Sequence, residues 1–267
     1  MRTKAKAWTG VSLLSLLPIL LPGLTLSASL RAAPLALTVC VFDEPFSAMT
    51  FPDGCGQSLE LLRRASALQP VAIRRLVAPR SQCMDRLRNG EVDAMLAAFT
   101  PGRAAFGAYP MTGAQPDPAR GVGELNFAVS RRRGSTVDWD GQRFTGLGRQ
   151  PVGAQPDLLH MPMLRELDVV IDDSGSSVEQ VFAKLAGNRV AAVVTERDEG
   201  AALIARKYRG QIDMLPVSFQ KTPVYLMVNQ AFYQRHQAQI EAYWHAIAQA
   251  RNTQGFRQFI SDFPRHP

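Results

Sequence analysis

The chain runs Leu87-Arg-Asn-Gly-Glu-Val92-Asp-Ala-Met-Leu96 where a helix is predicted to end and a buried strand to begin. Asn89-Gly90 suits the turn that ends the helix, because glycine tolerates the left-handed backbone conformation common there. The apolar residues that follow suit a strand buried on both faces. Residues 185–194 repeat the same order of helix end, glycine-containing turn and apolar strand. The short repeat is consistent with two lobes of similar build.

Around this stretch, apolar patterns predict alternating strands and helices. Strands are predicted over residues 35–42, 71–77 and 92–99, and helices over 57–68 and 81–88. After a loop-rich segment at 111–123, strands are predicted over 125–130, 151–154, 190–195 and 224–228. A second loop is predicted over 134–148, and Ser176 with Glu179 forms a capping box that starts a helix. Asn229 begins a long helical end. This alternation is typical of an α/β fold with mostly parallel sheets.

The N-terminal segment has the pattern of a secretory signal. Basic residues Arg2, Lys4 and Lys6 precede an apolar run, and small residues follow it near residue 28. This order predicts a signal peptide over residues 1–33, cleaved between 28 and 33. No later stretch is long and apolar enough to span a bilayer. We therefore expect an exported, periplasmic protein with no transmembrane segment in its mature part.

Charge and composition exclude several classes of function. The 267 residues carry a formal charge of +7, and the basic residues are dispersed apart from the triplet at 131–133. A nucleic-acid partner would require a denser basic stripe with interleaved aromatic residues, so none is expected. The three cysteines and four histidines show no metal-binding spacing, so neither a metal nor a cofactor is expected. Export to an oxidising compartment favours one disulfide and one free thiol.

The same residues resemble a known family, the family 3 periplasmic solute-binding proteins of polar amino-acid ABC importers. The resemblance rests on Leu87-Arg-Asn-Gly-Glu-Val-Asp-Ala94, then Thr100-Pro-Gly-Arg103, then Phe106-Gly-Ala-Tyr-Pro110. In that family a helix ends in a Gly-Glu-Val-Asp-like turn, a strand and Thr-x-x-Arg follow, and an aromatic residue and Tyr-Pro close the block. The resemblance covers residues 35–264 and is nearest to a less characterised branch with cysteines in the first strand and second helix.

This resemblance implies the type 2 periplasmic binding protein fold, with two α/β lobes joined by two crossing strands. The crossings would fall near residues 123–130 and 216–225. Lobe 1 would then comprise residues 34–125 and 222–267, and lobe 2 residues 126–221. The ligand would lie in the cleft between the lobes.

The resemblance also implies the ligand-binding residues. Arg103 would grip a ligand carboxylate, for which its planar guanidinium is well suited, and Thr100 would add a hydroxyl group or cap the next helix. Glu196 would pair with a ligand ammonium group, and Gln155 and Asp157 would supply contacts from the second lobe. Phe46 could stack on the ligand.

Two departures from the family pattern bear on the choice of ligand. Glu44 stands where the family has an aromatic residue, and Ala97-Ala98 replace a serine-rich stretch. Both point away from an ordinary polar amino acid. The cysteines of the branch imply a Cys40–Cys83 disulfide, with Cys55–Cys83 as the competing pairing, and sequence alone leaves the connectivity open.

The resulting hypothesis is a monomeric binding protein, not an enzyme, with no catalytic residues. It would capture a small carboxylate-bearing, amino-acid-like ligand and deliver it to an ABC permease. One alternative is an enzyme on the same fold, similar to cyclohexadienyl dehydratases, with Glu44 or Glu196 as the acid. Another is a protein that presents its ligand to a membrane sensor.

Overall fold

The computed structural model describes residues 33–156 and 158–263. The strands in chain order are β1 Leu35–Phe42, β2 Val71–Ala78, β3 Ala94–Ala98, β4 Gly107–Ala108, β5 Met111–Thr112, β6 Gln115–Pro116, β7 Gly123–Arg132, β8 Asp138–Trp139, β9 Phe144–Thr145, β10 Val152–Ala154, β11 Ile171–Asp172, β12 Ala192–Glu196 and β13 Ile212–Asn229. The helices are α1 Gln57–Leu68, α2 Arg80–Asn89, α3 Pro101–Ala104, α4 Met161–Glu166, α5 Val178–Ala186, α6 Arg197–Lys207, α7 Gln230–Arg251 and α8 Gln254–Asp262, with a 3₁₀ turn at Pro118–Arg120. The predicted signal peptide lies, except for Ala33, outside the described residues.

The main sheet follows the order β11-β10-β12-β7-β13-β3-β1-β2, with β4 paired to β13. The strands β1, β2 and β3 pair in parallel, and so do β10, β11 and β12. Between these two groups, β7 and β13 run antiparallel to each other and to the strands beside them. The predicted two-lobed α/β fold is confirmed, with β7 and β13 as the crossing strands.

The strand β13 is much longer than the predicted strand at 224–228. It spans 18 residues, and its pairing with β7 shifts register between Met214 and Ser218 and again between Ser218 and Gln220. Such bulges break the two-residue alternation on which strand prediction depends. Pro216 and Pro223 also lie within β13, where proline argues against a central strand. The sequence pattern therefore concealed most of the second crossing strand.

Helix starts and ends follow local chemistry closely. Gly90 ends α2 with φ 74°, as the Asn-Gly turn predicts. The side chain of Asn229 accepts a hydrogen bond from the amide of Phe232 and caps α7. The predicted capping box at Ser176 is wrong by one residue, because Ser177 caps α5 and accepts from the amide of Gln180. Gln180 in turn accepts from the amide of Ser176, so a related reciprocal arrangement exists one position along the chain.

The two predicted loops each contain a short hairpin. One is formed by β5 and β6, and the other by β8 and β9. Trp139 of the second hairpin is buried and lies 4.7 Å from the ring of Phe144 and 4.9 Å from that of Phe219, measured between centroids. Burial of these rings fixes a segment whose local sequence favours a loop.

The helix α7 packs against α1 and against β13. The hydroxyl of Tyr243 donates to the carbonyl of Leu62 at 2.8 Å, and the indole of Trp244 donates to the carbonyl of Leu226 at 3.0 Å. These bonds satisfy the polar atoms of two buried aromatic side chains, so α7 binds firmly to both helix and sheet. Of the helices that the described residues form, none has the length and apolarity needed to cross a membrane.

Candidate functional site

Four of the predicted site residues follow strands of the first parallel group. Glu44 and Phe46 come after β1, and Thr100 and Arg103 come after β3. The carboxyl ends of parallel strands meet at one edge of a sheet, which is where open α/β sheets bind ligands. The topology therefore directs these segments to the same edge of the first parallel group.

Arg103 is held close to the end of β3 by its own turn. Its Nη1 donates to the carbonyl oxygen of Ala98 at 2.9 Å. The hydroxyl of Thr100 accepts from the amide of Arg103 at 3.3 Å and caps α3. One guanidinium donor is thus used for positioning, and the others are available to an anion. Among the described residues no carboxylate forms an ion pair with Arg103.

A second arginine, Arg80, belongs to the same edge and was not singled out from the sequence. It is the first residue of α2 and follows β2, which pairs with β1. Its guanidinium carbon lies 4.6 Å from the ring centroid of Phe42 and 4.9 Å from that of Phe46. The available signal was an arginine shortly after a predicted parallel strand, whereas Arg103 was singled out by the Thr-x-x-Arg motif of the family resemblance.

Phe46 does not present an open ring face for stacking on a ligand. The residue is buried, its ring centroid lies 5.2 Å from that of Phe42, and Arg80 covers both rings. The expected aromatic ring of Phe46 is present, but the guanidinium group of Arg80 lies over it. An incoming ligand would therefore meet the guanidinium group of Arg80 at this point.

The second parallel group brings other predicted residues to the ends of its strands. Gln155 follows β10 and donates to the carbonyl of Ser176 at 3.4 Å. Glu196 is the last residue of β12 and caps α6. Asp157 lies outside the described residues.

The carboxyl group of Glu196 has an unusual environment. The side chain is buried, and one of its oxygens accepts from the amides of Asp198 and Glu199 at 2.9 and 3.0 Å. Burial raises the pKa of Glu196 to about 7, and the nearby charges of Asp198 and Glu199 act in the same direction, while the two amide bonds oppose the shift. Among the described residues no cation pairs with this carboxyl group. An ammonium group on a ligand would supply the missing partner.

Contacts join the two sides of the site. The hydroxyl of Ser47, in the loop after β1, donates to the carboxylate of Asp198 in α6 at 3.2 Å. Desolvation lowers the pKa of Arg80, an effect opposed by the negative charges of Glu199 and Glu44 and reinforced by the positive charge of Arg103. Arg80 thus lies within electrostatic range of groups from both parallel groups of strands.

The disulfide Cys40–Cys83 is confirmed, and it braces this edge. It links β1 to α2, with the two Cα atoms 5.6 Å apart. Cys40 lies two residues before Phe42, and Cys83 lies one helical turn after Arg80. Cys55 is the free, exposed cysteine.

Two surface cavities lie at the other end of the parallel strands. The first, of about 300 Å³, is lined by residues that include Arg88, Asp93 and Asn229. The second, of about 450 Å³, includes Arg132 and Arg133. Neither contains a predicted site residue, so the candidate site is defined by its side-chain chemistry. Among the described residues no group of three or more histidine, cysteine or acidic side chains could hold a metal ion.

No protein-family model matches the sequence, and no curated protein matches it. Several solved structures share the fold. A histidine kinase sensor domain with similarity to periplasmic binding proteins aligns at a TM-score of 0.60 and 16% identity, over 87% of this chain and 97% of that one. An ancestral arginine-binding protein bound to arginine aligns at 0.58 and 16%, over 86% and 98%. The GluR0 ligand-binding core from Nostoc punctiforme, in complex with L-glutamate, aligns at 0.55 and 14%, over 86% and 99%. The chain thus has the two-lobed fold of periplasmic-binding-protein-like domains.

Proposed function

We propose that this protein is a periplasmic solute-binding protein, and not an enzyme, that captures a small carboxylate-bearing, amino-acid-like ligand between its lobes. Lobe 1 comprises residues 34–125 and 222–267, and lobe 2 comprises residues 126–221. The strands β7 and β13 are the hinge on which the lobes close. The protein acts as a monomer.

The observation that carries the proposal is the position of Arg103. Its guanidinium group is fixed at the carboxyl edge of a parallel sheet by Ala98 and Thr100, and it keeps donors for a carboxylate. A bidentate arginine–carboxylate contact combines charge with fixed geometry, so the ligand gains both affinity and orientation. Glu196 complements it as the partner of an ammonium group, and Gln155 and Asp157 add contacts from lobe 2.

Delivery of the ligand to an ABC permease is the role we favour. A second candidate, in which the ligand is presented to a membrane sensor, is supported by the similarity to a histidine kinase sensor domain. Pull-down of the ligand-loaded protein from a native membrane extract tests this choice. Recovery of a transport permease supports the first role, and recovery of a receptor kinase supports the second.

Ligand binding is tested by a thermal-shift screen of amino acids and small carboxylates, followed by calorimetry. A ligand of the folded state raises the melting temperature by mass action. Arg103→Ala should weaken binding roughly tenfold to a hundredfold, because a charge-assisted hydrogen bond contributes about 1.5–3 kcal/mol. The control Arg149→Ala removes an exposed arginine from a loop away from the site and should bind as wild type. Equal binding by Arg103→Ala and wild type would refute the site assignment.

A further inference from the structure

Arg80 is an exposed residue whose guanidinium group rests on an aromatic surface. Its guanidinium group lies over Phe42 and Phe46, an arrangement that fixes its direction through cation–π attraction. Among the described residues no hydrogen-bond acceptor binds its side chain and no carboxylate lies within ion-pair distance. By contrast, Arg120 donates to Asp117 and Glu241 at 2.9 and 2.8 Å. The guanidinium donors of Arg80 are therefore available to a ligand.

Arg80 and Arg103 belong to the same edge of the sheet, because Arg80 follows β2 and Arg103 follows β3, the two strands on either side of β1. Arg103 acts unfavourably on the positive charge of Arg80, so the two guanidinium groups lie within electrostatic range of each other. The attraction of Arg80 to Glu199 is larger than its repulsion by Arg103, and Glu44 adds to that attraction. Among the described residues, however, neither carboxylate forms an ion pair with Arg80. The hydrogen-bond donors of its guanidinium group therefore stay available to a second anionic group of a ligand.

We propose that Arg80 binds a second anionic group of the ligand, so that the protein selects a dicarboxylate or an acidic amino acid over its neutral counterpart. The inference rests on the proposed function, because Arg103 must hold the first carboxylate.

The test compares matched ligands by calorimetry: L-glutamate with L-glutamine, L-aspartate with L-asparagine, and the dicarboxylates succinate and glutarate. Wild type should bind the acidic member of at least one pair about tenfold or more tightly, since a charge-assisted bond is involved. Arg80→Met keeps the apolar stem over the rings and should reduce that preference to about threefold or less, with binding of the neutral member unchanged. Arg80→Lys, which keeps charge but loses the planar fork, should retain part of the preference.

Controls separate this role from a closing contact between Arg80 and Glu199. Glu199→Gln should preserve or increase the preference for the acidic ligand, because it removes a competing carboxylate. If Arg80 only closes the lobes, Arg80→Met and Glu199→Gln should weaken all ligands alike. Arg74→Ala, an exposed arginine on β2, should leave binding unchanged.

The outcomes also separate this inference from the proposed function. Equal affinity for acidic and neutral ligands, both lost in Arg103→Ala, would overturn the role of Arg80 and leave the proposed function intact. A preference for acidic ligands that survives in Arg80→Met would also overturn the role of Arg80 and leave the proposed function intact. Absence of binding across the whole panel would overturn both.

Discussion

Ser47 and Asp198 are 151 residues apart in the chain, yet the serine hydroxyl donates to the aspartate carboxylate at 3.2 Å. Ser47 lies after β1, in the first parallel group of strands, and Asp198 lies in α6, which follows β12 of the second parallel group. An exposed hydrogen bond of this kind contributes about 0.5–1.5 kcal/mol, enough to bias an open–closed equilibrium without fixing it.

Asp198→Ala should therefore shift the ligand-free protein towards more open conformations, seen as an increased radius of gyration in small-angle X-ray scattering. Ser47→Gly should have the same effect, and it suits the backbone because Ser47 has φ 50°. The double variant should open no further than either single variant, because one contact is lost in each case. Asp168→Ala, at an exposed position, is the control. Additive effects of the two substitutions would contradict a shared contact.

Removal of the disulfide should weaken both stability and ligand binding. Cys40→Ser with Cys83→Ser should lower the free energy of unfolding by about 2–4 kcal/mol, because the unfolded chain gains freedom over a 43-residue separation. Ligand affinity should fall as well, since the bond braces α2 next to Arg80. Urea unfolding and calorimetry measure the two effects. Cys55→Ser alters only the exposed thiol and should change neither; unchanged affinity in the double variant would argue against the bracing role.

Ligand binding should depend on pH through Glu196. With a pKa of about 7 the carboxyl group is partly protonated near neutrality, and pairing with a ligand ammonium group lowers that pKa. Affinity for an amino-acid ligand should therefore rise between pH 6 and pH 8, with release of a fraction of a proton. Calorimetry in buffers of different ionisation enthalpy measures the release. Glu196→Gln should abolish the pH dependence, and Glu166→Gln, at an exposed position, should retain it.

The carboxyl group of Glu196 should also make the stability of the ligand-free protein depend on pH. Because burial raises the folded-state pKa of Glu196 above its ordinary value of 4.5, the folded protein binds the proton more tightly than the unfolded chain. The contribution of Glu196 to stability is thus greatest below pH 4.5 and is lost as the pH rises through 7. Glu196→Gln should flatten this part of the stability profile in urea unfolding.

His160 should make the free energy of unfolding depend on pH in the opposite direction to Glu196. It is buried against the ring of Phe127, with centroids 4.6 Å apart, and neither ring nitrogen has a hydrogen-bond partner among the described residues. Burial lowers its pKa from 6.5 to about 4, so its contribution to stability is full above pH 6.5 and is lost as the pH falls towards 4. His160→Leu should be more stable than wild type at pH 5, with a relative gain over pH 7 of about 1–2 kcal/mol in urea unfolding. His245→Gln, on an exposed face of α7, is the control, and an equal acid sensitivity of His160→Leu and wild type would count against the argument.

Several elements were predictable because their signals are local. The helix α1 has the predicted bounds, since the spacing of Leu59, Leu62 and Ala65 defines one apolar face. The turn at Gly90 and the cap at Asn229 depend on the conformational preference of single residues. Only residues 224–228 of β13 were predicted as a strand, because bulges and prolines interrupt the local pattern and the rest of the strand is defined by its pairing with β7.

The residues of the candidate site also differ in whether a local sequence signal could identify them. Arg103 and Glu196 are candidates that the family resemblance implies, and in the structure Arg103 follows β3 and Glu196 ends β12. Arg80 was missed because its significance comes from Phe42 and Phe46, which reach it across a β1–β2 pairing that no local pattern encodes. The contact of Ser47 with Asp198 likewise depends on the approach of two lobes.

By itself the sequence determined the alternation of strands and helices, and the presence of an arginine and an acid at the ends of buried strands. These features follow from residue periodicity and capping chemistry, which act over a few neighbouring residues. Only the tertiary structure decided which of three cysteines pair, which ring faces carry a cation, and which charges from distant segments share one edge of the sheet. Those choices depend on distances set by sheet order and packing, and a one-dimensional pattern does not contain them.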